Sequence, residues 1–137
     1  LHPDLVIVSL GTNESFDKQS GTQYFTHLIQ MINRIKEHNP GVCVLVMTSP
    51  PSVLHRKFKN TYIEKYAELI EENAHDNNYA VWNLLDVFGG NKAINRNTAK
   101  GYMARDKVHY TKAGYEEQAA LFFNAFMQSY ELFKSTK

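Results

Sequence analysis

Several things are scarce in this chain, and each scarcity excludes something. There is one cysteine, Cys43, so no internal disulfide can brace the fold, and cysteine usage does not fix the compartment. Neither sign of charge dominates. Fifteen Lys plus Arg stand against fourteen Asp plus Glu, and a net charge of +1 gives no electrostatic case for nucleic acid or an anionic membrane. No apolar run approaches the ~20 residues of a membrane-spanning helix. The six histidines include no pair at i, i+4 spacing, and no cysteine or carboxylate cluster joins them, so no metal is expected. Neither G-x-x-x-x-G-K-[ST] nor G-x-G-x-x-G occurs, which leaves nucleotide binding without support. With 43% apolar and 21% charged residues, disorder is a poor reading, and 137 residues fit one domain.

What is present is a regular alternation. The β-branched run Leu5-Val6-Ile7-Val8-Ser9-Leu10 reads as a strand buried on both faces, with Ser9 inside. Phe25, Leu28, Ile29, Ile32 and Ile35 then recur at helical spacing, predicting a helix from about Gln23 to His38 that Asn39-Pro40-Gly41 ends. Val42-Cys43-Val44-Leu45-Val46-Met47 reads as a second buried strand, with Cys43 an inert core thiol. Ile63, Tyr66, Ala67, Ile70 and Ala74 mark a helix from about Asn60 to His75, and Tyr79 to Leu84 a third strand. Leu85 to Lys107 reads as a long polar connection with one helical turn near Leu85 to Phe88. Tyr115, Ala119, Phe122, Phe126, Tyr130 and Phe133 line one face of a last helix, from about Lys112 to Phe133, with Thr111 as its N-cap. This order predicts an α/β fold with right-handed parallel crossovers and helices on both faces of the sheet.

In open α/β sheets ligands bind beyond the carboxyl ends of the strands, so chemistry is sought there. The first strand ends in Gly11-Thr12-Asn13-Glu14. Glycine permits close backbone approach, and the asparagine amide can face a developing oxyanion. The loop before the last helix reads Asp106-Lys107-Val108-His109. A carboxylate three residues before a histidine can hold its Nδ1–H and leave Nε2 free as a base. Alone, each is also what a simple turn or a polar loop would show. Together they fall on one edge of the expected sheet, as groups acting on one atom must.

The strand Asp4 to Leu10 followed by Gly11-Thr12-Asn13-Glu14 resembles the third conserved block of the SGNH hydrolases, the GDSL-type esterases and lipases. Asp106-Lys107-Val108-His109-Tyr110-Thr111-Lys112-Ala113-Gly114-Tyr115 resembles their fifth block, and the H-x-T-x-x-G-Y extension makes this match the more specific. The resemblance implies a flavodoxin-like three-layer α/β/α fold with a parallel sheet. It implies ester hydrolysis without a cofactor, and roles for individual residues. His109 would be the general base and Asp106 its orienting partner. Asn13 and Gly11 would serve the oxyanion hole, with Glu14 in support where the family usually has Asp. Glu at that position resembles the branch of bacterial peptidoglycan O-acetylesterases, which implies an O-acetylated carbohydrate substrate and a secreted or periplasmic setting.

The family's nucleophile sits in a Gly-Asp-Ser block, and no Gly-Asp-Ser occurs in this sequence. Residue 1 is Leu, and Leu1-His2-Pro3-Asp4 runs straight into the first strand. The expectation is a single partial domain over residues 1–137, the later part of an SGNH domain, whose nucleophile lies upstream and which is inactive alone. None of Ser9, Ser15, Ser49 or Ser52 sits in the strained strand-to-helix turn that exposes a nucleophile. An unpartnered strand from Val6 to Leu10 would then pair with the absent part or with a second copy. The alternative is a non-catalytic carbohydrate-binding or scaffold domain that keeps the fold.

Overall fold

The chain's β-branched runs become strands and its periodic segments helices in the computed structural model, which describes residues 2–136. Strand β1 (Leu5–Ser9) lies parallel to β2 (Cys43–Met47), and β2 lies parallel to β5 (Ala80–Trp82), in the order β1-β2-β5. Leu5 stands opposite Cys43, Ser9 opposite Met47, and Met47 opposite Trp82. Between β1 and β2 runs helix α2 (Gly21–His38). Ser20 caps it, its Oγ accepting the Gln23 N–H at 3.2 Å while the Gln23 side chain accepts the Ser20 N–H at 3.0 Å. Helix α3 (Thr61–Glu72) connects β2 to β5 and ends three residues sooner than the apolar spacing predicts, in turns at Asn73 to Asn78.

Period-two alternation sorts the sheet into two unlike faces. Val6, Val8, Val44, Val46 and Val81 point toward α2 and α3 and pack with Tyr24, Leu28, Ile32, Tyr66 and Ile70. The opposite face carries Leu5, Ile7 and Ser9, then Cys43, Leu45 and Met47, then Ala80 and Trp82. At its carboxyl end Met47 and Trp82 join a second cluster with Val53, Leu84, Phe88, Ile94, Met103 and Tyr110. At its amino end Leu5 and Ile7 are exposed, Ile7 to 46%.

This corrects three expectations. β1 is covered on one face, not two; Ser9 is exposed; and Cys43 is an exposed thiol rather than a core one. The reason is shared: all three positions belong to the alternation that faces away from α2 and α3, and β1 is an edge strand. The last helix, α6 (Lys112–Ser135), meets that face through Leu121 and through the Phe122 ring, whose centroid lies 5.7 Å from that of Trp82. Phe126 and Tyr130, which share the spacing of the expected buried stripe, are about half exposed.

Short elements fill the stretches that read as loops. Helix α1 (Thr12–Phe16) follows β1 directly, and β3 (Val53–Leu54) with β4 (Phe58–Lys59) makes an antiparallel hairpin. Residues 84–99 form helix α4 (Leu84–Val87), which is the helical turn expected near Leu85 to Phe88, then a 3-10 turn Asn91–Ala93 and helix α5 (Ile94–Ala99). These elements are too short to show a period, yet Leu84, Phe88 and Ile94 supply half of the second cluster's buried members. No described helix is long and apolar enough to cross a membrane.

Candidate active site

The turn after β1 is built around Gly11, whose φ of 125° belongs to the region that favours glycine. A Cβ there would stand 2.6 Å from Ser49 Oγ, so side chains are excluded twice over. The Gly11 N–H donates to Glu14 Oε2 at 2.8 Å. Gly11 therefore contributes the turn rather than a free donor, and Glu14 spends its carboxylate holding that turn closed. Asn13 is exposed, and among the described residues its side-chain amide has no hydrogen-bond partner.

Helix α1 is clamped at both ends by phenols. Tyr24 donates to the Leu10 carbonyl at 3.2 Å and Tyr66 to the Gln19 carbonyl at 2.6 Å, with the two rings stacked at 4.0 Å. Burial raises both hydroxyl pKa values, that of Tyr66 to about 12, so both remain protonated donors. Beneath α1 lies a buried polar knot. The Asn60 amide donates to Ser15 Oγ at 2.9 Å and Ser52 Oγ at 3.1 Å, while Ser15 donates to the Thr12 carbonyl at 2.6 Å. Asn91 completes it, donating to the Asn60 carbonyl at 2.8 Å and accepting the Ser52 N–H at 3.3 Å.

The second half of the site is a turn carried by a single antiparallel bridge between Met103 and Tyr110. The Ala104 N–H donates to the His109 carbonyl at 2.9 Å, and the Lys107 N–H to the Ala104 carbonyl at 3.0 Å, with Lys107 at a left-handed φ of 56°. This brings Asp106 under the imidazole. Asp106 Oδ1 accepts the N–H groups of Val108 at 2.9 Å and His109 at 3.0 Å, and Oδ2 lies 2.7 Å from His109 Nδ1. The bond to His109, followed by the Val108 N–H, lowers the Asp106 pKa to about 2. An ionised carboxylate only accepts, so Nδ1 carries a proton, and in the neutral imidazole the lone pair is left on Nε2. The imidazole is 75% exposed.

The rest of the motif seats this turn on α6. Thr111 Oγ1 accepts the Gly114 N–H at 3.2 Å, as a cap, and its hydroxyl donates to the Gly101 carbonyl at 2.6 Å. A Cβ on Gly114 would collide with the Tyr102 carbonyl, which accepts the Thr111 N–H at 2.9 Å. The glycine in H-x-T-x-x-G is thus the residue that lets α6 start against the Gly101–Met103 backbone.

The two turns stand at the carboxyl edge of the sheet and share one support, the segment after β2. Ser49 and Pro50 line a small cleft with Gly11 and Asn13. Pro51 accepts the buried Tyr110 hydroxyl at 2.7 Å, and the Val53 N–H donates to the Lys107 carbonyl at 3.1 Å. No hydrogen bond joins Asn13 to Asp106 or His109 among the described residues. Nor does a serine meet His109. Ser15, Ser49 and Ser52 are buried, with each Oγ already hydrogen-bonded, and Ser9 lies on the exposed face of β1. No group of three or more His, Cys, Asp or Glu among the described residues could hold a metal. Tyr24, Tyr66 and Asn60 support the site without having been singled out for it; their helical spacing signals only a core stripe and a helix start.

Residues 1–117 match the GDSL-like lipase/acylhydrolase family. No curated protein matches the chain in sequence. Among solved structures the fold is similar to that of a peptidoglycan O-acetylesterase, with TM-score 0.82 and 21% identity over 91% of this chain and 37% of that one. It is also similar to a lipase/acylhydrolase from Enterococcus faecalis, with TM-score 0.66 and 22% identity over 90% of this chain and 60% of that one. A serine-to-alanine mutant of the esterase AlinE4 gives TM-score 0.53 and 19% identity over 93% of this chain and 61% of that one. At these identities the likeness is one of fold. This chain spans 37% of the first structure and about three fifths of the other two.

Proposed function

Because the chain belongs to the GDSL-like lipase/acylhydrolase family, we propose that it carries the base and oxyanion half of an acyl-ester hydrolase, acting most naturally on O-acetylated carbohydrate. The observation that carries this reading is the Asp106–His109 pair: a carboxylate fixed by two backbone N–H groups, 2.7 Å from Nδ1 of an exposed imidazole. The nucleophile is a serine outside these residues. His109 Nε2 removes its proton as the hydroxyl attacks the ester carbonyl. The Asn13 amide donates to the oxyanion of the tetrahedral intermediate. Collapse of that intermediate forms an acyl-enzyme, and His109 gives the proton to the leaving alcohol. Water, deprotonated by the same nitrogen, then releases the acid. The acetyl preference is supported by the fold's similarity to a peptidoglycan O-acetylesterase and by Glu14 after Asn13.

The test is hydrolysis of p-nitrophenyl acetate by the full-length protein, by this chain alone, and by His109→Ala forms of both. The full-length protein should turn over, its variant should not, and this chain should be silent. Activity of this chain that His109→Ala removes would place the nucleophile within these residues. A silent full-length protein would instead favour a domain that binds carbohydrate without cleaving it. The open edge of β1, with Leu5 and Ile7 exposed, also leads us to propose that this chain alone self-associates strand to strand. Sedimentation showing a stable monomer at high concentration would refute that.

A further inference from the structure

The chain is nearly neutral, but its cations are not evenly spread. Arg56, Lys57, Lys59, Lys92 and Lys107 line a single cleft with Asn91 and others, and no carboxylate lines it. That is five of the fifteen basic side chains. The only ion pair any of them makes among the described residues is Lys59 with Glu64, at 2.9 Å. Lys107 Nζ lies 3.3 Å from Asn95 Oδ1, and Lys57 sits over the Phe58 ring. Like charges gathered in a concavity repel one another and focus the field outward, an arrangement that favours a bound anion.

The backbone adds an independent sign. The hairpin between β3 and β4 turns at His55 and Arg56, with the Lys57 N–H donating to the Leu54 carbonyl at 3.1 Å. Both central residues have positive φ, 49° and 62°. Asn and Gly take such a turn most cheaply, and a histidine–arginine pair there is held in a strained backbone. Strain of this kind accumulates where side chains are needed for function. The hairpin also touches both halves of the site. Val53 is bonded to Lys107, two residues before His109, and the His55 ring lies edge-on to Phe16 at the end of α1, with centroids 6.5 Å apart.

We propose that this cleft is an anion subsite beside the ester centre, holding a carboxylate or phosphate group borne by the substrate, so that the preferred substrate is an acidic O-acylated carbohydrate. This rests on the esterase reading, and the test separates the two. Turnover by the full-length protein is compared for acetylated galacturonate oligomers, which carry carboxylates, and for acetylated xylo-oligosaccharides, which are neutral. The paired variant Arg56→Gln/Lys92→Gln should lower the ratio of kcat/KM for the acidic over the neutral substrate about tenfold, about threefold per charge removed, mainly through KM. Added salt should lower the same ratio in the unaltered protein. In parallel, backbone amide shifts of the full-length protein are followed on adding deacetylated galacturonate oligomers or inorganic phosphate. Salt-sensitive shifts confined to Val53–Lys59 and to Lys92 would support the subsite with either probe, and the stronger probe would tell carboxylate from phosphate. Such shifts without any ester turnover would leave the subsite standing and the esterase reading refuted. Turnover with an unchanged substrate ratio and no shifts would overturn the subsite alone.

Discussion

Asn13 stands on a turn braced from far away in the chain, whereas His109 stands on a turn that braces itself. Helix α1 is held by Tyr24, by Asn60, 45 residues from the Ser15 it reaches, and by Tyr66, 47 residues from Gln19. Most hydrogen bonds of the His109 turn run among Ala104, Asp106, Lys107, Val108 and His109, and its distant ties are the Val53 N–H on the Lys107 carbonyl and Tyr110 on Pro51. One proposed catalytic group thus depends mainly on the packed core, and the other mainly on a local motif at the surface. Damage at the two ends should therefore look different. At the His109 turn it should remove activity and spare the fold; under α1 it should weaken the fold and remove activity as a consequence.

The sharpest break is Asp106→Asn in the full-length protein. An amide there no longer enforces the Nδ1–H tautomer, and kcat for p-nitrophenyl acetate should fall about 10³–10⁴-fold. The melting temperature should move little, because an asparagine Oδ1 can still accept the Val108 and His109 N–H groups. Next is Asn13→Ala, expected to cost about 10²–10³-fold in kcat with KM little changed, as loss of one oxyanion donor does. Its side chain has no partner to lose, so stability should again be preserved. Asn60→Ala should do the reverse. It strips Ser15 and Ser52 of a buried donor and should destabilise the chain by about 1–3 kcal/mol in denaturant unfolding. Below the unfolding transition, its residual kcat should lie nearer to wild type than that of Asn13→Ala. The smallest effect is a titration. The Asp106 carboxyl carbon should titrate near pH 2 and move up toward 3.8 in His109→Ala, because the imidazole bond is the first cause of the lowered pKa. Since the folded pKa lies below the ordinary one, what this bond adds is complete above pH ~4 and is lost as pH falls through about 2. A midpoint near 3.8 in the unaltered protein would mean that the pair is not formed.

The same contrast explains what could be read from the residues alone. Asp106, His109, Thr111 and Gly114 are legible because their partners lie within a few positions, so spacing alone encodes the geometry. The long helices are legible because a period repeats in each, and the three parallel strands because each is a short apolar run bounded by turn residues. What brings Asn60 under Ser15, or Tyr110 onto Pro51, is tertiary and leaves no local pattern. The hairpin at His55 and Arg56 is hidden for another reason: its turn residues are ones that turns rarely choose. The reading of β1 as buried on both faces fails because a run of Leu, Val and Ile tells how apolar a strand is, not how many neighbours this chain supplies to it.

The free side of β1 also behaves as a ruler. Its pairing with β2 is parallel and in strict step, Leu5 with Cys43 through Ser9 with Met47. Any strand added in the same sense on the outside would be held about 4.8 Å away and in a fixed phase. The residue emerging from its carboxyl end would come out beside Leu10 and Gly11, at the mouth of the Asn13 turn. Sliding by one residue would turn every side chain of that strand to the other face and present a different residue there. The reach of the Asn13 amide toward whatever arrives is thus measured out by a row of main-chain N–H and C=O groups that have no chemistry of their own.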